Sequence, residues 1–276
     1  MNRAKLTVSV AALSVVAAVG CQSVQTTDGS VVGVDRKQSM TSLVSAKEIE
    51  QQAAQEYGQL MAQAQKKGLL NQNPQHLQRV RTAAQRLIPH VKVFRPDATA
   101  WKWEANVLTS KDVNAWCMPG GKMAVYTGLI ERLGVTDDEL AAVMGHEIAH
   151  ALREHARERI GRQMATQTGT AIGAVALEIF TGIHLDPNLA GTVAEAAFVL
   201  PNSREAEQEA DRIGVELAAR AGYDPRAAIT LWQKMGRLGG GAPPEWLSTH
   251  PSNETRLRDL EVYAQKVMPL YQAASR

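Results

Sequence analysis

Two histidines separated by three residues constrain this chain more than any other feature: His146 and His150 in Val143-Met144-Gly145-His146-Glu147-Ile148-Ala149-His150. At that spacing both side chains leave one face of a helix, close enough for both rings to reach a single metal ion. Glu147 leans to the side of the pair, where an attacking water would sit and a general base is needed. The pattern has meaning only on a helix, and the flanking residues supply one. Thr136-Asp137-Asp138-Glu139 is a capping box, with threonine as N-cap and glutamate three residues on. Its acidic first turn also suits the helix dipole. Leu140, Val143, Met144, Ile148, Ala151 and Leu152 then follow at helical spacing, which predicts a helix running past Arg157 with a charged, exposed end.

A catalytic zinc site takes three protein ligands and keeps one position for water. The extended pattern that adds Gly and His three and six residues after the second histidine is excluded, because Arg153 and Ala156 stand there. His155 lies five residues on, roughly 500° around a continuous helix, and is expected to point away from the metal face toward solvent or a supporting role. The remaining source is a glutamate from a later helix, and Glu205, Glu207 and Glu209 open one. Spacing favours Glu207, since Asp211 stands four residues later on the same face, where it can accept the free ring N–H of a ligating histidine. An acidic, solvated first turn that binds nothing explains the same three glutamates.

The first twenty residues stand apart. Asn2, Arg3 and Lys5 precede an apolar run from Leu6 to Gly20, too short to cross a bilayer comfortably, so residues 1–20 read as a signal peptide. Ala18-Val19-Gly20-Cys21 resembles a bacterial lipobox, which predicts cleavage before Cys21, a diacylglyceryl group on its sulfur, and a membrane anchor. The alternative is an ordinary leader with a chance cysteine. Gln22 in place of Asp after the cysteine resembles lipoproteins passed on to the outer membrane. With Cys21 acylated, Cys117 has no partner for a disulfide, and it reads as a small buried hydrophobe. Residues 21–45, rich in Ser, Thr, Gln, Val and Gly, read as a tether.

Residues 46–276 are then left for one domain. Net charge is +2 with no block of Lys or Arg, so nothing points to nucleic acid. Helices are expected from Ala46 to Lys67, stopped by Gly68, and from Pro74 to Ile88. Val91–Phe94, Trp101–Glu104, Val113–Cys117 and Lys122–Tyr126 read as strands of a small antiparallel sheet of three or four strands, with Pro119-Gly120-Gly121 as a turn. If Lys122–Tyr126 is an edge, it can pair with an extended substrate backbone. Residues 161–200, low in charge and full of Ala, Gly and Thr, read as close-packed helices or as a flap beside the site. Further helices begin near Ser203 and Asp224, and the last carries Arg256 and Leu260. The fold class is α+β, mainly helical.

Ser203-Arg204-Glu205-Ala206-Glu207-Gln208-Glu209-Ala210-Asp211 resembles the S-R-x-x-E-x-x-A-D signature of the HtpX-like and CAAX-prenyl-protease-like zinc metallopeptidases. Asn114-Ala115, Pro119-Gly120-Gly121-Lys122 and Thr127-Gly128-Leu129 are similar to the segment preceding that family's H-E-x-x-H helix. Thr249-His250-Pro251 with Arg256 resembles a motif of its periplasmic BepA/LoiP-type lipoprotein branch. The motifs run in the family's order from about Leu43 to Tyr263, although Asn202 stands where an aromatic is common.

The resemblance implies a zincin-type metallopeptidase domain holding Zn2+ on His146, His150 and Glu207, with Asp211 supporting a ligand histidine and Glu147 as general base. It raises His250 as a fourth ligand that keeps the site latent, against a plain packing or capping role. It also raises Arg256 as an oxyanion-stabilising cation, against a surface helix arginine. It further implies unfolded or misassembled envelope proteins as substrates, an outer-membrane lipoprotein facing the periplasm, and the outer-membrane assembly machinery as a partner. A chaperone-like lipoprotein that binds such proteins without much cleavage is the rival.

Overall fold

The computed structural model describes residues 21–42, 44–166, 202–238, 245–250 and 254–274. Helix α1 (Ala46–Lys66) opens on a complete capping box: the Ser45 side chain accepts from the Glu48 N–H and the Glu48 carboxylate accepts from the Ser45 N–H. Helix α2 (Pro74–Leu87) starts on Asn73, whose side chain accepts from the Gln75 and His76 N–H groups, with proline in its first turn.

Of the expected strands, Val91–Phe94 does not form, and Trp101–Glu104 gives way to a strand that begins only at its last residue, Glu104. Ile88–Val93 winds into a 3-10 helix, continuing α2 with Pro89 in its first turn, and Pro96–Ala100 makes a second one. The apolar alternation there reflects burial: Val91 and Phe94 point into the core from tight helical turns. Trp101 and Trp103 lie against each other, with centroids 5.3 Å apart, and the Trp103 indole N–H donates to Ala98 O.

The sheet has three strands in the order β3 (Glu104–Leu108), β5 (Lys122–Tyr126), β4 (Ala115–Met118). β4 and β5 form the expected antiparallel hairpin, but β3 and β5 run parallel, so the sheet is mixed. The chain reverses at β4, reverses again at β5, and inserts β5 between the earlier two strands, which leaves β3 and β5 pointing the same way. The expected edge role of Lys122–Tyr126 is therefore corrected: β5 is central, and β3 and β4 are the edges. Helix α3 (Thr127–Leu133) follows directly. A Cβ on its Gly128 would sit 2.3 Å from Asp112 O, so only glycine lets α3 lie this close to the 109–113 loop.

Helix α4 (Asp137–Leu152) carries the motif and begins on the predicted Thr136/Glu139 capping box. Leu140, Val143, Met144, Ile148 and Leu152 are all at most 1% exposed. The helix packs against α2, β4, α6 (Arg204–Arg220) and α7 (Ala227–Arg237). It does not run past Arg157. It stops at Leu152, Glu154 takes a left-handed φ of 52°, and a new helix, α5 (His155–Thr166), begins. A short helix α8 (Glu245–Thr249) and a long α9 (Glu254–Ala274) complete the described chain. The flap expected within residues 161–200 lies, beyond Thr166, outside the described residues, as does the leader.

The stretch expected as a tether is docked on the domain. β1 (Cys21–Val24) pairs antiparallel with β2 (Gln38–Thr41), and β2 packs on α5. Val32, Val34 and Met40 are buried, the Val32 N–H donates to Glu216 Oε2 at 3.0 Å, and Arg36 Nη1 lies 2.8 Å from Glu158 Oε1. Polar composition alone did not reveal this, because three apolar side chains suffice to seat the segment. No described helix is long and apolar enough to cross a membrane.

Candidate metal centre

The site exists because two glycines let α4 and α6 cross backbone to backbone. A Cβ on Gly145 would meet Gly214 O at 2.8 Å, and one on Gly214 would meet His146 N at 2.8 Å. This contact brings His146 and His150 of α4 to Glu207 and Asp211 of α6, and α8 delivers His250 to the same point. His146, His150, Glu207 and His250 each offer a donor atom, and all four atoms lie within 4.8 Å of one another in a buried cluster.

The spacing of the donors tests whether a metal fits. His146 Nε2 is 3.0 Å from His150 Nε2 and 3.2 Å from His250 Nδ1. Glu207 Oε1 is 3.0 Å from His250 Nδ1 and 3.3 Å from His150 Nε2. A tetrahedral ion with bonds of about 2.0–2.1 Å sets its ligand atoms about 3.3 Å apart. The three nitrogens and one carboxylate oxygen therefore fit Zn2+ in both chemistry and spacing. Of the three candidate glutamates, Glu205 is exposed, Glu207 faces the histidines, and Glu209 is buried on the other side against Arg153 and His155.

Asp211 Oδ1 lies 3.0 Å from His146 Nδ1, where it can accept that ring's N–H. Behind it stands Arg256. Its Nε and Nη2 donate to the two Asp211 oxygens at 2.7 Å each, its Nη1 lies 2.7 Å from Glu207 Oε2, and its guanidinium stacks 3.9 Å over Trp232. The expected oxyanion role is corrected: Arg256 is 2% exposed and clamps two carboxylates from the protein side, so it is a positioning residue.

Burial works against charge on every one of these groups, and the ion pairs decide the outcome. Asp211 is lowered despite burial because Arg256 and His146 hold its charged form. Glu207 falls well below the usual range despite burial, through His250 and Arg256. Burial alone would discharge His146, but Asp211 and Glu207 outweigh it and raise its pKa to about 9. Burial keeps His150 and His155 low and therefore neutral. Cys117 is pushed up by burial, which leaves an inert thiol.

Glu147 is buried beside the cluster. Trp246 Nε1 donates to its Oε1 at 2.8 Å, and His250 Nε2 lies 3.5 Å from the same oxygen. Trp246 and His250 stack with centroids 4.6 Å apart, and the buried Asn202 donates its amide N–H to Thr249 O, tying α8 down. The cavity between Glu147, His150, Arg159 and His250 is about 10 Å³, room for roughly one water. Trp246 and His155 carried no signal in periodicity. The run Arg153-Glu154-His155, which breaks the apolar spacing after Leu152, was the available hint of a helix end.

The comparisons with known proteins agree with this geometry. Residues 74–264 match the family described as Peptidase family M48. The mitochondrial metalloendopeptidase OMA1 of Arabidopsis thaliana is 43% identical over 154 residues, covering 56% of this chain and 30% of the relative. The OMA1 protein of Schizosaccharomyces pombe is 36% identical over 162 residues, covering 58% and 46%. The beta-barrel assembly-enhancing protease of Escherichia coli is 30% identical over 170 residues, covering 59% and 35%. The chain thus spans less than half the length of each of these three. A family match that takes in α2, the whole sheet, the H-E-x-x-H helix, Glu207 and Arg256 leaves one conclusion: this chain belongs to peptidase family M48.

Proposed function

We propose that the chain is a zinc-dependent endopeptidase whose described state is latent. One observation carries the reading: a tetrahedral set of buried donors with Glu147 beside it, at a side where the chain itself supplies the fourth donor. Zn2+, when bound, supplies a Lewis acid that polarises the scissile carbonyl and acidifies a water. His146, His150 and Glu207 hold the ion, and Asp211 and Arg256 hold the ligands. Glu147 takes the proton of the attacking water and delivers it to the leaving amine.

Latency is the reading of α8. His250 fills the position that water needs, Trp246 engages Glu147, and the Trp246 backbone N–H lies 3.4 Å from Val113 O, two residues before the edge strand β4. A peptide pairing with β4 would have to displace this segment. Because His250 directly follows α8, donates its backbone N–H to Trp246 O and stacks on the Trp246 ring, one displacement would free the base, the coordination position and the strand edge together.

The leader and Cys21 support an envelope lipoprotein of the outer membrane facing the periplasm. Unfolded or misassembled envelope proteins are the substrate class this reading takes, and the name of the Escherichia coli relative, a beta-barrel assembly-enhancing protease, is consistent with it. The relatives' names span mitochondrial and bacterial proteins, so the leader carries the localisation. Labelled fatty acid should appear on the wild-type chain and not on Cys21→Ala.

The catalytic test is hydrolysis of a denatured protein with and without a chelator. Activity is expected to vanish on chelation, and Glu147→Gln is expected to retain zinc without cleaving. A Glu147→Gln variant that still cleaves would remove the assignment. His250→Ala should keep zinc and hydrolyse faster than wild type; unchanged zinc coordination and unchanged rate would refute the latch.

A further inference from the structure

The break between α4 and α5 has a consequence for the second ligand. A continuous helix would carry His155 away from His150. Instead Glu154 adopts φ 52°, a left-handed conformation that is strained for a residue with a Cβ. Arg95 holds its carboxylate at 2.7 Å and Arg157 at 2.8 Å. The turn swings His155 back against His150, with ring centroids 4.8 Å apart and the two Nδ1 atoms at 2.8 Å. The other nitrogen of His155, Nε2, lies 3.1 Å from Glu209 Oε2. That carboxylate is also held by Arg153 Nε at 2.9 Å and Arg36 Nη2 at 3.1 Å.

Each link fixes the next. A carboxylate ringed by two guanidinium groups only accepts, so His155 Nε2 carries a proton and donates it to Glu209. With that single ring proton on Nε2, His155 offers a bare Nδ1 as acceptor, which assigns the hydrogen in the 2.8 Å contact to His150 Nδ1. This leaves His150 Nε2 without a proton, and Nε2 is the atom that faces His146 and Glu207.

We propose that His155 and Glu209 are positioning residues that hold His150 with its proton on Nδ1, so that Nε2 is a bare donor for a divalent cation before the cation arrives. Asp211 does the equivalent for His146 directly, whereas His150 is set through a second imidazole. The proposal rests on the reading of His150 as a ligand, but its tautomer part stands without any metal.

The test uses the full chain in the Glu147→Gln background, where self-cleavage cannot interfere. Zinc affinity is measured by competition with a chromophoric chelator, and metal-free thermal unfolding is recorded beside it. His155→Leu fills the space without donor or acceptor and is expected to weaken zinc binding about 10- to 100-fold. His155→Gln has a carbonyl to accept from His150 and an amide to donate to Glu209, and is expected to recover most of the loss. Parental affinity in His155→Leu, or no recovery in His155→Gln, overturns the proposal. If His155→Leu does not fold, long-range imidazole nitrogen–proton correlations of the metal-free parent decide. A proton on His150 Nδ1 supports the chain of bonds, and a proton on Nε2 overturns it. Should the parent bind no zinc yet show the Nδ1 proton, the metal reading fails and the positioning chain survives.

Discussion

Substituting Gly214 by alanine inverts the ordinary rule for helices. In an unobstructed helix interior Gly→Ala stabilises by about 1 kcal/mol, through propensity and unfolded-state entropy. At Gly214 the new methyl would stand 2.8 Å from His146 N, 3.0 Å from His146 Cα and 3.1 Å from Gly145 C, all backbone atoms that cannot rotate aside. Carbon contacts relax at roughly 3.5–4.0 Å, so α4 and α6 must separate by on the order of 0.7 Å. Overpacking of that kind costs about 1–3 kcal/mol, which exceeds the propensity gain. The same shift drags Glu207 and Asp211 from the histidines by more than the roughly 0.2 Å that a metal site tolerates. Gly58 in α1, where an added Cβ would meet nothing within 4 Å, is the control. Urea unfolding of the metal-free proteins and zinc competition should show Gly58→Ala stabilised with parental affinity. Gly214→Ala should lose about 1–2 kcal/mol and bind zinc at least tenfold more weakly. A Gly214→Ala protein that is more stable than wild type and binds zinc normally would refute the close-crossing argument.

Acid should weaken the seat of the N-terminal segment. Burial raises the Glu158 pKa, but Arg36 reverses this and brings it from 4.5 down to about 2. Its contribution is therefore complete above about pH 4.5 and lost as pH falls toward 2. The shift corresponds to roughly 3 kcal/mol. Unfolding midpoints measured by tryptophan fluorescence between pH 5 and 2.5 should fall steeply in wild type and much less in Arg36→Ala. Arg256→Gln strips the counter-charge from two buried carboxylates and should cost about 3 kcal/mol or more, with loss of zinc stoichiometry; an unchanged melting temperature would contradict the clamp. Trp246→Phe keeps a ring against His250 but removes the N–H from Glu147. Releasing a hydrogen bond to a charged group, about 1.5 kcal/mol, should raise hydrolysis of an unfolded protein roughly tenfold. A rate equal to wild type would show that the indole does not restrain the base.

The sequence by itself determined the elements whose signals are local. Thr136 and Glu139 cap α4, the apolar period of α4 is written between Leu140 and Leu152, and Ser203 starts α6. Those signals put His146, Glu147 and His150 on one helix, and the four-residue spacing of Glu207 and Asp211 put both carboxylates on one face of another. Tertiary packing decided which carboxylate met which ring. Gly145 and Gly214 read as ordinary helix glycines until α4 and α6 are seen to cross through them.

The same division explains the misread segments. Val91–Phe94 alternates like a strand, yet prolines at 89 and 96 and burial of Phe94 make tight turns the better packing. Glu154 carries no glycine-like mark, and its left-handed turn is held by Arg95, fifty-nine positions earlier in the chain. Arg36 found Glu158 and Glu209, and Trp246 found Glu147, at separations where no periodicity operates. Caps and hydrophobic period act within one or two turns and are legible one helix at a time. The metal centre is made of groups from α4, α6 and the residue that follows α8, whose meeting depends on backbone approach and buried charge balance, quantities that exist only once the chain has folded.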